Sequence, residues 1–163
     1  LDAIVIEVQR DLSVSADVLF DTFMPIDLTE IMTGYGPLPA VSAIENQSGP
    51  WDSVGAERTI RLADGTSMLE VITDVDRPRG FSYTLSNMTS ILRLLVDRFH
   101  GSWRFVATST DDQSVCVQVT WRYRFDVRSR FTWPISWLIL TLFWRPYMNR
   151  AFDRAIAALP DST

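Results

Sequence analysis

The 163-residue chain contains no lysine: all 15 of its basic residues are arginine. Schiff-base catalysis through lysine is thereby excluded. Histidine and cysteine occur once each, as His100 and Cys116. That is too few for the His/Cys sets that hold zinc, and no metal site is expected. A lone cysteine forms no intrachain disulfide, so a reducing compartment, the cytoplasm, is the expected location. Cys116 has no histidine near it in sequence and falls on the polar face of its strand, which argues against a nucleophile. No Ser-His-Asp set, Gly-rich phosphate loop or metal-ligand cluster is present, and no cofactor is expected. Long apolar runs are missing too. The greasiest stretch, Trp133 to Trp144, is interrupted by Pro134, Ser136 and Thr141 and closed by Arg145-Pro146. A membrane-spanning helix needs about 20 apolar residues, so this segment is read as buried or interfacial. Positive charge is also short. A net charge of −5 argues against general nucleic-acid binding, which draws on a basic surface. No signal-peptide pattern is visible.

What is present is apolar and aromatic. Residues of the hydrophobic class make up 47% of the chain, with six Trp, nine Phe and four Tyr. The length suits a single domain, 1–163. One stretch is decisive. Val115, Val117, Val119, Trp121, Tyr123 and Phe125 alternate with Cys116, Gln118, Thr120, Arg122, Arg124 and Asp126. Period-two alternation means a strand with one buried and one wet face. A long helix, Trp133 to Leu159, follows.

Upstream, Ile4, Ile6 and Val8 open a first strand. Ser15 and Asp27 have the character of N-caps for two short helices, through Phe23 and about Thr33. Strands are expected at Val41–Asn46, Val54–Leu62, Met68–Val75, Phe81–Leu85, Ser102–Thr108 and Ser114–Asp126, the last two joined by a turn at Thr110 to Gln113. Met88 to Val96 is apolar but carries no clear period. One strand, two short helices, about six consecutive strands and one long helix make an α+β chain. A sheet of 6–7 antiparallel strands should curl around the helix, which would span about 40 Å at ~1.5 Å per residue.

The motif Val54-Gly55-Ala56-Glu57-Arg58, followed by Asp64-Gly65, Glu70, Asp76 and the strand Gly101-Ser102-Trp103-Arg104-Phe105, resembles the START-like, or SRPBCC, superfamily. Within it the chain is most similar to the bacterial polyketide cyclase/dehydrase-type branch. The resemblance implies a helix-grip fold, like that of the birch-pollen allergen, with a cavity for lipids, polyketides or quinones. One departure stands out: Ile26 to Met32 occupies the place of a Trp-rich stretch common in relatives.

On that frame, Phe81, Tyr83, Trp103, Phe105, Trp121 and Tyr123 are expected on the concave face. Phe143 and Tyr147 would close a cavity from the helix. Arg58 and Glu70 are the candidate polar anchors. A three-residue turn at Asp64 to Thr66 puts Arg58, Ile60, Leu62, Met68, Glu70 and Ile72 on one face; a two- or four-residue turn moves Glu70 to the face of Glu57 and Arg61. The resemblance favours Glu70 inward. His100, the one group titrating near neutrality, joins Arg58 and Glu70 as a weak catalytic candidate at the start of its strand.

On the helix, Trp137, Leu140, Phe143 or Trp144, Tyr147, Ala151, Ala155 and Leu159 form one stripe. Pro146 must kink the helix or begin a second segment. The apolar excess has three outlets: a cavity wall, a homodimer interface, or peripheral membrane contact through Trp133–Trp144. The leading expectation is binding of a hydrophobic or amphipathic small molecule. The alternatives are a polyketide aromatase/cyclase and a membrane-surface lipid or quinone carrier.

Overall fold

A computed structural model describes residues 3–108 and 114–161. The chain opens with β1 (Ile4–Leu12), α1 (Ala16–Phe23) and α2 (Leu28–Ile31). A meander follows: β2 (Val41–Glu45), β3 (Glu57–Leu62), β4 (Ser67–Asp76), β5 (Gly80–Ser86), β6 (Val96–Ala107) and β7 (Val117–Val127). The chain ends in α3 (Trp133–Ile139), a π-helical segment (Leu140–Trp144) and α4 (Arg145–Ala157). All neighbours in the sheet are antiparallel, in the order β1-β7-β6-β5-β4-β3-β2. The two short helices carry the chain from one edge strand, β1, to the other, β2.

Local chemistry explains most boundaries. The Ser15 hydroxyl accepts from the Val18 amide at 3.4 Å, and the Asp27 carboxylate accepts from the Thr29 amide at 2.9 Å. Each satisfies a helix donor that has no partner within its own helix. On β7 the alternation from Val117 to Val127 is followed residue by residue, with Val117, Val119, Trp121, Tyr123 and Phe125 buried. Val115 is the exception, lying ahead of the strand and 56% exposed. The turn expected at Thr110 to Gln113 lies outside the described residues. Met88 to Val96 resolves into a 3-10 turn, Ile91–Leu94, and β6 begins directly after it, six residues earlier than expected.

The C-terminal helix is continuous through Pro146, and the π segment is the reason. Proline has no amide hydrogen, and its ring crowds the carbonyl one turn back. A wide turn just before it, closed by the Arg145 amide on the Leu140 carbonyl, takes up that misfit. It also rotates α3 by about one residue. Ser136, Leu140 and Trp144 therefore face inward, and Trp137, assigned to the inner stripe above, is 47% exposed.

Candidate functional site

Sheet and helix do not close on each other. Between them lies a cavity of ≈ 450 Å³, within the range of small-molecule sites. Ile60, Met68, Leu85, Trp103 and Trp121 wall it from the sheet. Phe23, Ile31 and Met32 wall it from the short helices, and Ile139, Phe143, Trp144 and Tyr147 from the long one. Phe143 lies over the Gly34–Pro39 loop, where its ring comes so close to Gly36 that a Cβ there would sit 3.0 Å from it. The Tyr147 hydroxyl anchors the same loop, accepting from the Gly34 amide at 3.0 Å and donating to the Pro39 carbonyl at 2.9 Å.

Two polar groups enter this apolar space. Arg58 pairs with Glu70, and Ile60 with Met68, across the β3–β4 hairpin. Leu62 donates back to the Thr66 carbonyl, leaving a three-residue loop, Ala63 to Gly65, one residue earlier than expected but of the same length. That register turns Arg58, Ile60, Leu62, Met68, Glu70 and Ile72 inward, as the first of the turn lengths considered above requires. Arg58 is 6% exposed and Glu70 3%. Arg58 Nη2 donates to Glu70 Oε1 at 3.1 Å, and the guanidinium carbon lies 3.9 Å above the Trp51 ring.

The pair uses one hydrogen bond rather than two. Arg58 Nε is enclosed without a partner. Arg58 Nη1 and Glu70 Oε2 are neither hydrogen-bonded nor enclosed, and both residues border the cavity. Burial pushes the Glu70 carboxyl above its ordinary range, against the opposing pull of the Arg58 charge and hydrogen bond.

The second polar feature is a tyrosine pair. The Tyr83 hydroxyl accepts from Trp121 Nε1 at 3.0 Å and lies 2.9 Å from the Tyr123 hydroxyl. Three hydrogens serve these two bonds, so one tyrosine O–H keeps a proton with no acceptor in the cluster. Burial raises the pKa of both phenols, which stay protonated. Tyr83 rests against Gly101: a Cβ at that position would fall 2.3 Å from its ring. The Gly-x-Trp-x-Phe strand needs its glycine because a tyrosine ring from β5 occupies the space.

Of the ten residues expected to contact a ligand, Arg58, Glu70, Phe81, Tyr83, Trp103, Trp121, Tyr123, Phe143 and Tyr147 border the cavity. Phe105 does not. It packs behind the wall, 6.1 Å from the Phe23 ring and stacked on Trp103 at 6.5 Å. His100 lies on the outer face of the sheet. Because β6 starts at Val96, His100 sits mid-strand, opposite in direction to buried Phe99 and Gly101. Its ring nitrogens meet the Thr84 hydroxyl at 2.8 Å and Asp126 at 3.1 Å.

Sequence reasoning missed Trp51 and the segment Ile26 to Met32, four residues of which (Ile26, Leu28, Ile31, Met32) line the cavity. The departure from a Trp-rich stretch at that segment was the available signal. It missed Ile91 and Leu94 as well, which border the cavity yet are 80% and 56% exposed. Among the described residues, no group of three or more His, Cys, Asp or Glu could hold a metal, and no helix is long and apolar enough to cross a membrane.

A curved seven-stranded antiparallel sheet gripping a long C-terminal helix, with an apolar cavity between them, is the helix-grip fold of START-like (SRPBCC) proteins. The chain belongs to the family described as polyketide cyclase / dehydrase and lipid transport, whose profile matches residues 3–161. Solved structures agree at the level of fold. Ara h 8.0201 aligns with a TM-score of 0.65 at 16% identity, covering 98% of this chain and 99% of its own. Major latex-like protein 151 from Panax ginseng gives 0.64 at 16% identity, covering 97% and 99%. Norcoclaurine synthase from Thalictrum flavum gives 0.62 at 14% identity, covering 100% and 98%. No curated protein sequence matches the chain. Family and fold together support hydrophobic-ligand binding in general terms.

Proposed function

We propose that this protein binds one hydrophobic or amphipathic small molecule, of lipid, polyketide or quinone-like character, between the sheet and the C-terminal helix. The cavity of ≈ 450 Å³ carries the reading. Well-packed cores leave few voids larger than a water molecule, so a space this large is built to be filled. Arg58, Glu70 and the free O–H of the Tyr83–Tyr123 pair would orient an oxygen function of the ligand, while the aromatic walls take its apolar body. Native mass spectrometry of the purified protein tests this: a small-molecule mass lost on denaturation supports it. Failure both to co-purify any molecule and to bind apolar fluorescent probes overturns it.

A carrier that loads at a membrane surface is the second reading, favoured by one observation. Ile91 and Leu94 are exposed and border the cavity, and Leu138 and Leu142 are exposed on the C-terminal helix, beside Ile139 and Phe143, which border it too. An apolar ligand could pass there from a lipid surface without crossing water. Vesicle co-sedimentation that falls several-fold in Trp137→Ala/Leu138→Ala, with folding intact, is the expected result. Sizing the same variants separates this outcome from a homodimer that buries the patch.

An aromatase/cyclase is supported by two titratable groups converging on the cavity, Arg58 and Glu70, and by the synthase among the neighbours in fold. His100, the third candidate, does not reach the cavity, so proton handling would fall to Glu70 and the tyrosine pair.

A further inference from the structure

The charges inside the cavity are nearly self-cancelling. Glu70 is faced by Arg58 from β3, by Tyr83 from β5 and by Tyr123 from β7. From the helix side the cavity is bordered by Trp144 and Tyr147, and the Tyr147 hydroxyl is already committed to the loop it anchors. Asp64 borders the cavity only at the hairpin tip, where it is exposed and held below its ordinary range by Thr66. Within the apolar interior, therefore, one permanent cation, Arg58, meets one titratable anion, Glu70, and no other described residue there carries charge.

A charged ligand entering such a space upsets this neutrality. An isolated charge in a low-dielectric interior is costly unless it is paired. A ligand anion could pair with Arg58 through the free Nη1, but Glu70 then becomes an uncompensated second anion beside it. Taking a proton onto the open Oε2 removes that charge and leaves the guanidinium to the ligand. An uncharged ligand needs no such exchange, because its carbonyl or hydroxyl accepts from Nη1 or the free tyrosine O–H with the ion pair intact.

We propose that Glu70 is an exchangeable internal counter-ion, so that an anionic amphiphile enters the cavity together with one proton, whereas an uncharged ligand enters without one. Burial already pulls the Glu70 carboxyl upward, toward the protonated form that the ligand anion would require. This inference rests on the ligand-binding reading above and names the charge selectivity of the same site.

Two fluorescent probes with one skeleton separate charge from shape: anilinonaphthalenesulfonate, whose sulfonate stays ionised throughout, and N-phenylnaphthylamine, which lacks it. Their affinities are measured by titration from about pH 5 to about pH 9, with mutual competition, and calorimetry in buffers of differing ionisation heat counts protons. The sulfonate should compete with the neutral probe and take up one proton. Its affinity should fall by about tenfold per pH unit above the folded pKa of Glu70. The neutral probe should show neither effect.

In Glu70→Gln the sulfonate should bind more tightly than in the natural protein at high pH, with a flat profile and no proton uptake. The wild-type proton count stands alone if that variant fails to fold. Sulfonate binding in the cavity with no proton uptake and a flat profile overturns the proposal. So does a sulfonate that never competes while the neutral probe binds. If neither probe binds at any pH and no small molecule co-purifies, the ligand-binding reading falls with it.

Discussion

Tyr83 leans on Gly101, and the contact leaves no space for a methyl group: a Cβ would sit 2.3 Å from the ring and 2.6 Å from its hydroxyl. Gly101→Ala must push the ring into the cavity and break its bond to Trp121. The expected cost is about 1–3 kcal/mol, the usual range for overpacking, read from urea unfolding midpoints, together with weaker probe binding.

Glu70 makes a prediction of opposite character. Its folded pKa is raised above the unfolded value, so the folded state holds that proton more tightly than the unfolded state does. The stability it contributes is complete at pH below the unfolded value and is lost as pH rises through the folded one. In Glu70→Gln that loss disappears. The stability difference, variant minus wild type, should grow with pH from the ordinary carboxylate range upward. A difference that shrinks with pH would contradict the assigned direction of the shift.

The long helix shows how an element's phase can mislead. A regular helix from Trp133 onward puts Trp137 inward, whereas the π turn before Pro146 brings Ser136 to that side. Trp137 and Trp144 should therefore part company on mutation. Trp137→Ala, at an exposed position, should change stability by no more than about 0.5 kcal/mol. Trp144 is enclosed by Phe99, Tyr123 and Phe125, each at 5.3 Å, and Trp144→Ala should cost about 3–5 kcal/mol by denaturant melts.

The helix segment was legible in the chain as apolar and aromatic, and Pro146 marked where it would change character. The wide turn was not legible, because proline reports a problem in the backbone without saying which local geometry absorbs it. The strand content was easier to read. Alternation on β7 is a property of successive residues and needs no partner, and the caps at Ser15 and Asp27 are equally local.

For the whole molecule, the cavity links binding to stability. A ligand that occupies only the folded state at 100 times its Kd should raise unfolding free energy by about 2.7 kcal/mol. Thermal or urea unfolding of the protein with and without N-phenylnaphthylamine checks this. An unchanged midpoint at saturation would place the probe elsewhere than in the folded interior.

The sequence by itself determined the element order, the wet and buried faces of the strands and the helix caps, because each depends on residue period or local hydrogen bonding, while its resemblance to a known family pointed to the helix grip. Only the tertiary structure decided that Trp51 and the segment Ile26 to Met32 reach the cavity and that Phe105 stays behind its wall. The inward turn of Glu70 hangs on one residue of loop length, since a slip of one reverses every side chain on the strand. Phe105 and His100 were separated from the site by facts no local pattern contains: what packs in front of one, and where the strand beneath the other begins. The cavity itself is a remainder, the volume left when curved sheet, short helices and lid fail to meet, and a remainder exists only once all of them are in place.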